Sequence, residues 1–390
     1  MKVTYFHQHF KVNSGGTRSY EFSKFLVKQG HQVTMITGNE NQNILKNGIK
    51  VKSTKTEYSQ NFSFIRRILS FVHFMIVSTI IGLNEKGTDV IYATSTPLTI
   101  GVPALIVSKL KRKNYIFEVR DVWPDVPIEL GVIKSKLLQK ILFKFENIIY
   151  KNAAHIVVLS EGMKENLHKK KSVPLNKITV ITNLSMNNHF DKQETNERIE
   201  NKDKLVCIHP GTMGIVNGLD FILDVAEQFP NDDIIYLLIG EGNQKNNLIK
   251  KVKRNNIKNV IIKDGLPKDE VIKEIKKSDV GIMIVDDYEI LQDNSANKFF
   301  DYLAAGLPIV INYGGWQKAI LEENKAGKGF LYDDKEGFYN FLLELKNNIS
   351  LLKEYGRNAK HLAETEYDSQ VLAKKFERVL LTTVKQHSSK

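Results

Sequence analysis

At 390 residues, 42% of them hydrophobic and 26% charged, the chain has the composition of a soluble globular protein and length enough for two domains, each with its own core. One cysteine, Cys207 in the apolar run LVCIHP, excludes an internal disulfide and leaves the cytoplasm as the default compartment. The net charge of +12 is lopsided: residues 1–195 carry 28 Lys+Arg against 14 Asp+Glu, whereas 196–390 carry 28 against 30.

The start, MKVTYFHQHF, alternates like a first strand and lacks the charged and apolar regions of a signal peptide. On it His7 and His9 fall on alternate positions, without the cysteine partners or the H-x-x-x-H spacing of a metal site. Gly15 and Gly16 then lie between this strand and a helix beginning near Thr17, where backbone N–H groups can meet an anion without Cβ obstruction. Arg18 adds charge beside them. Further on, Arg66-Arg67 precede an apolar stretch, Ile68 to Leu83. Its 16 positions fall short of the roughly 20 needed to cross a bilayer, so a buried or interfacial helix is expected. With the basic clusters at Lys109 to Lys113 and Lys169 to Lys171, it suits attachment to anionic lipid. Nucleic acid is the rival reading of that charge, but no recognition motif accompanies it.

The run YIFEV then leads into Arg120-Asp121-x-Trp123-Pro124. This puts Asp121 at a strand's carboxyl end, where a carboxylate can accept a hydroxyl proton; Glu118 and Asp125 are the alternatives. Alternating strands and helices through this half predict a parallel sheet over residues 1–190. The polar stretch NLSMNNHFDKQETNERIENKDK reads as a linker.

From 204 to 370 the same grammar repeats. The loop Gly211-Thr212-Met213-Gly214 joins strand to helix, Gly240-Glu241 ends a second strand, and Leu266 follows a third; NYGGWQ (312–317) is a further glycine turn. In DNSANKFFDYLAAGLP, Asp293 and Asp301 stand eight positions apart around Asn297 and Lys298, before a Gly306 stop and a strand PIVINY. Two doubly wound α/β domains place the carboxyl ends of both sheets at a cleft.

The Asp293–Asp301 spacing resembles the E-x7-E element of retaining glycosyltransferases of family 4. With QHF, GGTRSYEF and the Arg-Asp-x-Trp-Pro segment, the chain looks like the bacterial subgroup that includes N-acetyl-L-fucosamine transferases of O-antigen and capsule synthesis. That resemblance implies a GT-B architecture with a C-terminal helix (371–390) crossing back to the first domain. It further implies a UDP-sugar donor, an N-acetylated 6-deoxyhexose to transfer, and a polyprenyl-diphosphate-linked acceptor at the inner face of the cytoplasmic membrane. Both acids are Asp here, and Met213 and Asn217 stand where many family members have basic residues. Lys298 is the replacement cation, so no metal is expected. In these terms Asp121, Lys298 and Asp293 are the catalytic candidates. Gly15, Gly16, Gly211, Thr212, Gly214, Gly240, Glu241, Leu266, Asn297, Lys298 and Asp301 face the donor, and His9, Arg18, Arg120 and Trp123 face the acceptor. The rival readings are a non-hydrolysing UDP-sugar 2-epimerase and a catalytically silent partner of an envelope-assembly complex.

Overall fold

The computed structural model describes residues 1–10, 17–38, 44–59, 62–191 and 204–388. They divide into two compact units, residues 1–182 with 369–390, and residues 183–368. Gly15 and Gly16 lie outside the described residues.

Unit 1 is built on an eight-stranded sheet: β1 (Lys2–Phe6), β2 (Gln32–Thr37), β3 (Ile44–Lys46), β4 (Ile49–Ser53), β5 (Val90–Thr94), β6 (Tyr115–Val119), β7 (His155–Val158) and β8 (Ile178–Val180). Its order is β3-β4-β2-β1-β5-β6-β7-β8, parallel except for the antiparallel β3–β4 pair. Val3 pairs with Val33 on one side and Val90 on the other. β5 and β6 are buried at every position, as expected where crossover helices cover both faces of a parallel sheet. The helix Ser369–Ser388 belongs to this unit, where Phe376 stacks on Phe22 with ring centroids 4.6 Å apart.

Unit 2 carries six parallel strands, β9 (Leu205–Pro210), β10 (Ile234–Ile239), β11 (Val260–Lys263), β12 (Val280–Met283), β13 (Ile309–Ile311) and β14 (Gly327–Gly329), in the order β11-β10-β9-β12-β13-β14. The order reverses between β9 and β12, the kind of switch point where open α/β sheets bind ligands outside their carboxyl ends. The expected two doubly wound sheets are thus both present.

Three expectations need correction. The division between units falls before Asn183 rather than after residue 190, because Phe190 packs in the unit 2 core with Ile208 and Leu237. β1 stops at Phe6, and His7 and His9 lie beyond it, His7 buried and His9 in a turn 4.8 Å from the Tyr58 ring. The apolar helix runs from Phe64 to Asn84, 21 residues, so by length and composition it is sufficient to cross a membrane. Its inner face is nonetheless a layer of unit 1: Phe74 and Ser78 are buried, and a Cβ at Gly82 would meet the Phe6 ring at 2.7 Å and Val107 at 3.0 Å.

Candidate active site

A pocket of about 700 Å³ opens at the carboxyl ends of β9 and β10. Its floor is two loops zipped together through their backbones. The Gly211 N–H donates to Ile239 O at 2.8 Å, and the Met213 N–H to Glu241 O at 2.8 Å. A Cβ on Gly240 would sit 1.8 Å from the Gly211 carbonyl oxygen, so any side chain there would push the loops apart.

One wall is the helix Asn297–Ala305. Phe299, Phe300, Tyr302 and Leu303 are buried. The Tyr302 hydroxyl lies against two adjacent strands, 2.9 Å from Ile208 O and 3.1 Å from Ile282 O. Gly281 makes room for that ring, since a Cβ would meet it at 2.4 Å. This anchor fixes where the helix begins. Its N-cap, Ala296, has no side-chain acceptor for the first N–H groups, which leaves them for an anion. At the far end Gly306 takes φ +66° and stops the helix as its sequence predicts.

Asp301 and Lys298 project from this helix into the pocket. Asp301 is 6% exposed and paired with Lys268, which is 45% exposed at its side chain. Lys298 Nζ contacts His209 Nε2 at 2.7 Å, and Gly211, at φ +141°, lets it approach: a Cβ there would be 3.0 Å from Nζ. Burial lowers the Lys298 ammonium to about 7. Glu241 accepts hydrogen bonds from the Gly265 N–H and from Lys245, at 3.0 and 2.7 Å.

The pocket thus gathers Gly211, Thr212, Gly240, Glu241, Leu266, Asn297, Lys298 and Asp301. Gly214, further along the first loop, caps the short turn Ile215–Asn217, and Asp293 ends the turn Glu289–Asp293 ahead of the helix. NYGGWQ lies elsewhere, with Asn312 and Tyr313 on a separate cavity beside Asp286 and Asp287. Two residues were overlooked in the sequence, Lys268 and His209. A histidine ending an apolar strand before Pro-Gly was the available signal for the second. Among the described residues no cluster of three or more His, Cys, Asp or Glu is arranged to hold a metal ion.

In unit 1 the charges at the strand ends are arranged differently. Arg18, expected at the diphosphate or the acceptor, is 4% exposed and turned inward: its Nε and Nη2 both lie 2.9 Å from Glu118 Oε2. Glu118 also accepts from the Tyr92 hydroxyl at 2.7 Å and the Thr94 hydroxyl at 2.6 Å. Burial alone would raise its carboxyl, but Arg18, Arg120 and these hydrogen bonds hold it below the usual range. Fully occupied, Glu118 is no alternative base. Nor is Asp125, which pairs with Lys171 at 2.8 Å; the same ammonium reaches Glu146 at 3.0 Å. Those residues line a larger cavity of about 830 Å³. Its Lys171 is already bound to two carboxylates, and its Lys177 donates to the carbonyls of Tyr150 and Lys151.

Asp121 remains exposed just past β6. Although the residue as a whole is exposed, the protein packed around its carboxyl raises the pKa by desolvation, against the opposing pull of Arg120. Arg120 and Trp123 flank it, both half-buried, and the Arg120 N–H donates to Ser95 Oγ at 2.9 Å.

The outer face of the helix Phe64–Asn84 exposes Ile65, Leu69, Val72, Ile76 and Ile80, an apolar stripe at helical spacing. The helices Gly101–Lys111 and Lys136–Asn152 of the same unit expose Leu110, Leu137 and Ile141.

Two family profiles match the chain one after the other: Glycosyltransferase Family 4 over residues 15–184 and Glycosyl transferases group 1 over residues 191–362. The chain is a GT-B glycosyltransferase. Solved structures share its fold at low identity. Sucrose-phosphate synthase from Thermosynechococcus elongatus superimposes with a TM-score of 0.78 at 12% identity, over 98% of each chain. HepE of Anabaena in complex with UDP-glucose gives 0.73 at 13% identity over 98% of this chain and 100% of its own. A glycosyltransferase from Rickettsia africae gives 0.73 at 15% over 98% of each. No curated protein sequence matches the chain.

Proposed function

We propose that this glycosyltransferase uses a UDP-sugar, an N-acetylated 6-deoxyhexose derivative in the subgroup it resembles, and transfers the sugar with retention. Its acceptor would be a polyprenyl-diphosphate-linked saccharide of bacterial surface-polysaccharide synthesis. The observation that carries the donor reading is the convergence of an uncapped helix N-terminus, the Lys298 ammonium and the buried Asp301 carboxylate on one glycine-floored pocket. HepE, of the same fold, was solved with UDP-glucose, which supports that choice.

In this reading the diphosphate lies against the Gly211–Thr212 backbone and the N–H groups of Asn297 and Lys298. Lys298 meets the charge that grows on the leaving group as the glycosidic bond breaks, so its interaction is stronger in the transition state than with bound substrate. Asp301 accepts the ribose hydroxyls once Lys268 yields, and Leu266 meets the base. Asp293 takes a sugar hydroxyl. Asp121 accepts the acceptor's hydroxyl proton, with Arg120, Trp123 and His9 shaping the acceptor site. Charge neutralisation by Lys298 and backbone dipoles assigns no step to a metal.

The exposed apolar stripe of the helix Phe64–Asn84, beside Arg66 and Arg67, supports peripheral attachment to the anionic inner face of the cytoplasmic membrane, where a lipid-linked acceptor would reside. Flotation should show binding to anionic vesicles that weakens as salt is raised. Equal binding to neutral and anionic vesicles at high salt would mean hydrophobic insertion of that helix instead.

The decisive experiment incubates the purified chain with UDP-sugars, with and without a polyprenyl-diphosphate-linked saccharide. UDP release that requires acceptor, with a product of the donor's anomeric configuration, is expected. Sugar interconversion without acceptor would point to the epimerase, and UDP-sugar binding without any turnover to a silent partner.

A further inference from the structure

Two lysines reach the unit 2 pocket and they are held by different chemistry. Lys268 faces a carboxylate, Asp301. Lys298 faces a ring that carries no charge. The His209 Nδ1 lies 3.1 Å from the Ile282 carbonyl oxygen, and a carbonyl can only accept, so the ring proton sits on Nδ1. Nε2 is therefore the bare nitrogen, and it accepts from Lys298 Nζ at 2.7 Å. The ring is 1% exposed, and burial together with the neighbouring Lys298 charge keeps it neutral throughout the physiological range.

The carboxylates on the surrounding elements are committed elsewhere. Asp301 holds Lys268, while Glu241 and Asp264 share Lys245. Asp293 lies on the turn before the helix. Among the described residues the ion pairs of Asp301, Glu241 and Asp264 are thus made with Lys268 and Lys245. The half-buried Lys298 nitrogen lies against the neutral His209 ring and the Gly211 backbone, and a charge in such surroundings gains from an anion. A diphosphate at the uncapped helix N-terminus supplies that anion.

We propose that His209 and Lys298 form a proton-loading pair: His209 fixes the Lys298 nitrogen at the diphosphate position, and an entering nucleoside diphosphate draws a proton from solvent onto it. The inference rests on the donor assignment made above. The lowered Lys298 pKa, about 7 in the free chain, agrees with it. The balance is simple: Lys298 passes from amine to ammonium, water or buffer loses one proton, and no covalent bond of the nucleotide changes. The full cation is then present only while there is a leaving group to stabilise. His209 acts as a positioning residue.

Calorimetric titration of the full chain with UDP at pH 8, repeated in buffers of different ionisation enthalpy, reads the proton count directly. At that pH the nucleotide's terminal phosphate is fully ionised. Uptake of roughly one half to one proton per UDP is expected from a group moving from about 7 to well above 8. Lys298→Arg, which carries a permanent charge, should bind UDP with no uptake. His209→Leu should lower the uptake and weaken UDP about fivefold, the loss of one hydrogen bond, and His209→Gln, which keeps an acceptor oxygen, should restore both. UDP binding whose heat is independent of buffer overturns the proton loading and leaves the donor assignment standing. Uptake that persists in Lys298→Arg overturns it as well. No UDP binding at all defeats the donor assignment and the proton loading together.

Discussion

Both units end their central strands in polar side chains, but unit 1 closes that chemistry inside the protein and unit 2 leaves it facing a pocket. In unit 1, Arg18 and Glu118 satisfy each other, with Tyr92 and Thr94 completing the carboxylate. In unit 2, Lys298 rests on a neutral imidazole and Asp301 on a half-exposed lysine, contacts that an incoming ligand can replace. Two sheets of the same class thus differ in what a ligand must displace. A buried, hydrogen-bonded ion pair is strongly destabilised when one partner is removed, whereas a partly exposed pair contributes little. The first is therefore a structural device, and the second suits the binding surface proposed for the donor.

The exception in unit 1 is Asp121, exposed beside a cluster that is otherwise occupied, and the largest effect is expected there. Asp121→Asn keeps the size and removes the proton-accepting charge, so kcat should fall about 10²–10⁴-fold, with UDP affinity unchanged. Initial rates and UDP calorimetry measure the two separately. Wild-type turnover would rule out Asp121 as the base, and its two neighbouring alternatives, Glu118 and Asp125, are both engaged.

Glu118→Ala tests the closed side of the comparison. It strands the Arg18 guanidinium in the interior and should destabilise unit 1 by about 3–5 kcal/mol. Because two units need not unfold together, the expected signature is a lowered first transition in calorimetry, with UDP still raising the transition of unit 2. A loss under 1 kcal/mol, on the scale of exposed pairs, would show that the cluster is open to water.

Much of this division was legible in the sequence, and the rest was hidden for physical reasons. Strands and crossover helices showed as apolar runs separated by helical patterns, and Gly306 and Pro308 marked the stop and restart correctly. The unit boundary was misplaced because polarity alone reads as linker. Asn183, Ser185 and Asn187 are polar yet buried, bonded to Ser295 O, Phe300 O and Ala363 O. Arg18 looked like a ligand cation because a basic residue after a glycine pair carries no sign of which way it turns. Its partner, Glu118, lies 100 positions away in an otherwise apolar strand, and a buried acid in such a run was the clue to an internal pair. The length of the helix Phe64–Asn84 was underestimated because Phe64 and Ile65 were separated from the apolar run by two arginines.

On the open side, Lys298→Ala should reduce kcat by about 10²–10³, the usual loss on removing one preorganised donor to developing charge. UDP affinity should change less, because that charge is largest in the transition state. Single-turnover rates alongside UDP calorimetry would show the split. Equal losses in both would make Lys298 a ground-state anchor only.

Asp301 and Lys268 give the smallest and most discriminating effect. If the carboxylate holds the ribose, Asp301→Ala removes a charged acceptor whose hydrogen bonds contribute roughly 1.5–3 kcal/mol, so UDP should bind about 10- to 150-fold more weakly. The Lys268 ammonium is 45% exposed, and a contact of that kind is worth about 0–1 kcal/mol, so displacing it costs the ligand little. Lys268→Ala should then leave UDP affinity within about fivefold of wild type, on the tighter side, because the carboxylate no longer has a competitor. If Lys268 instead grips the nucleotide itself, the same change weakens UDP as much as Asp301→Ala does. Calorimetry on the two single variants and the double variant separates these cases. Competition predicts that the double variant matches Asp301→Ala, since removing the competitor has no effect once the carboxylate is gone. A double variant markedly weaker than either single would put Lys268 on the ligand, and unit 2 would then present two cations to the donor where unit 1 keeps its Arg18 for itself.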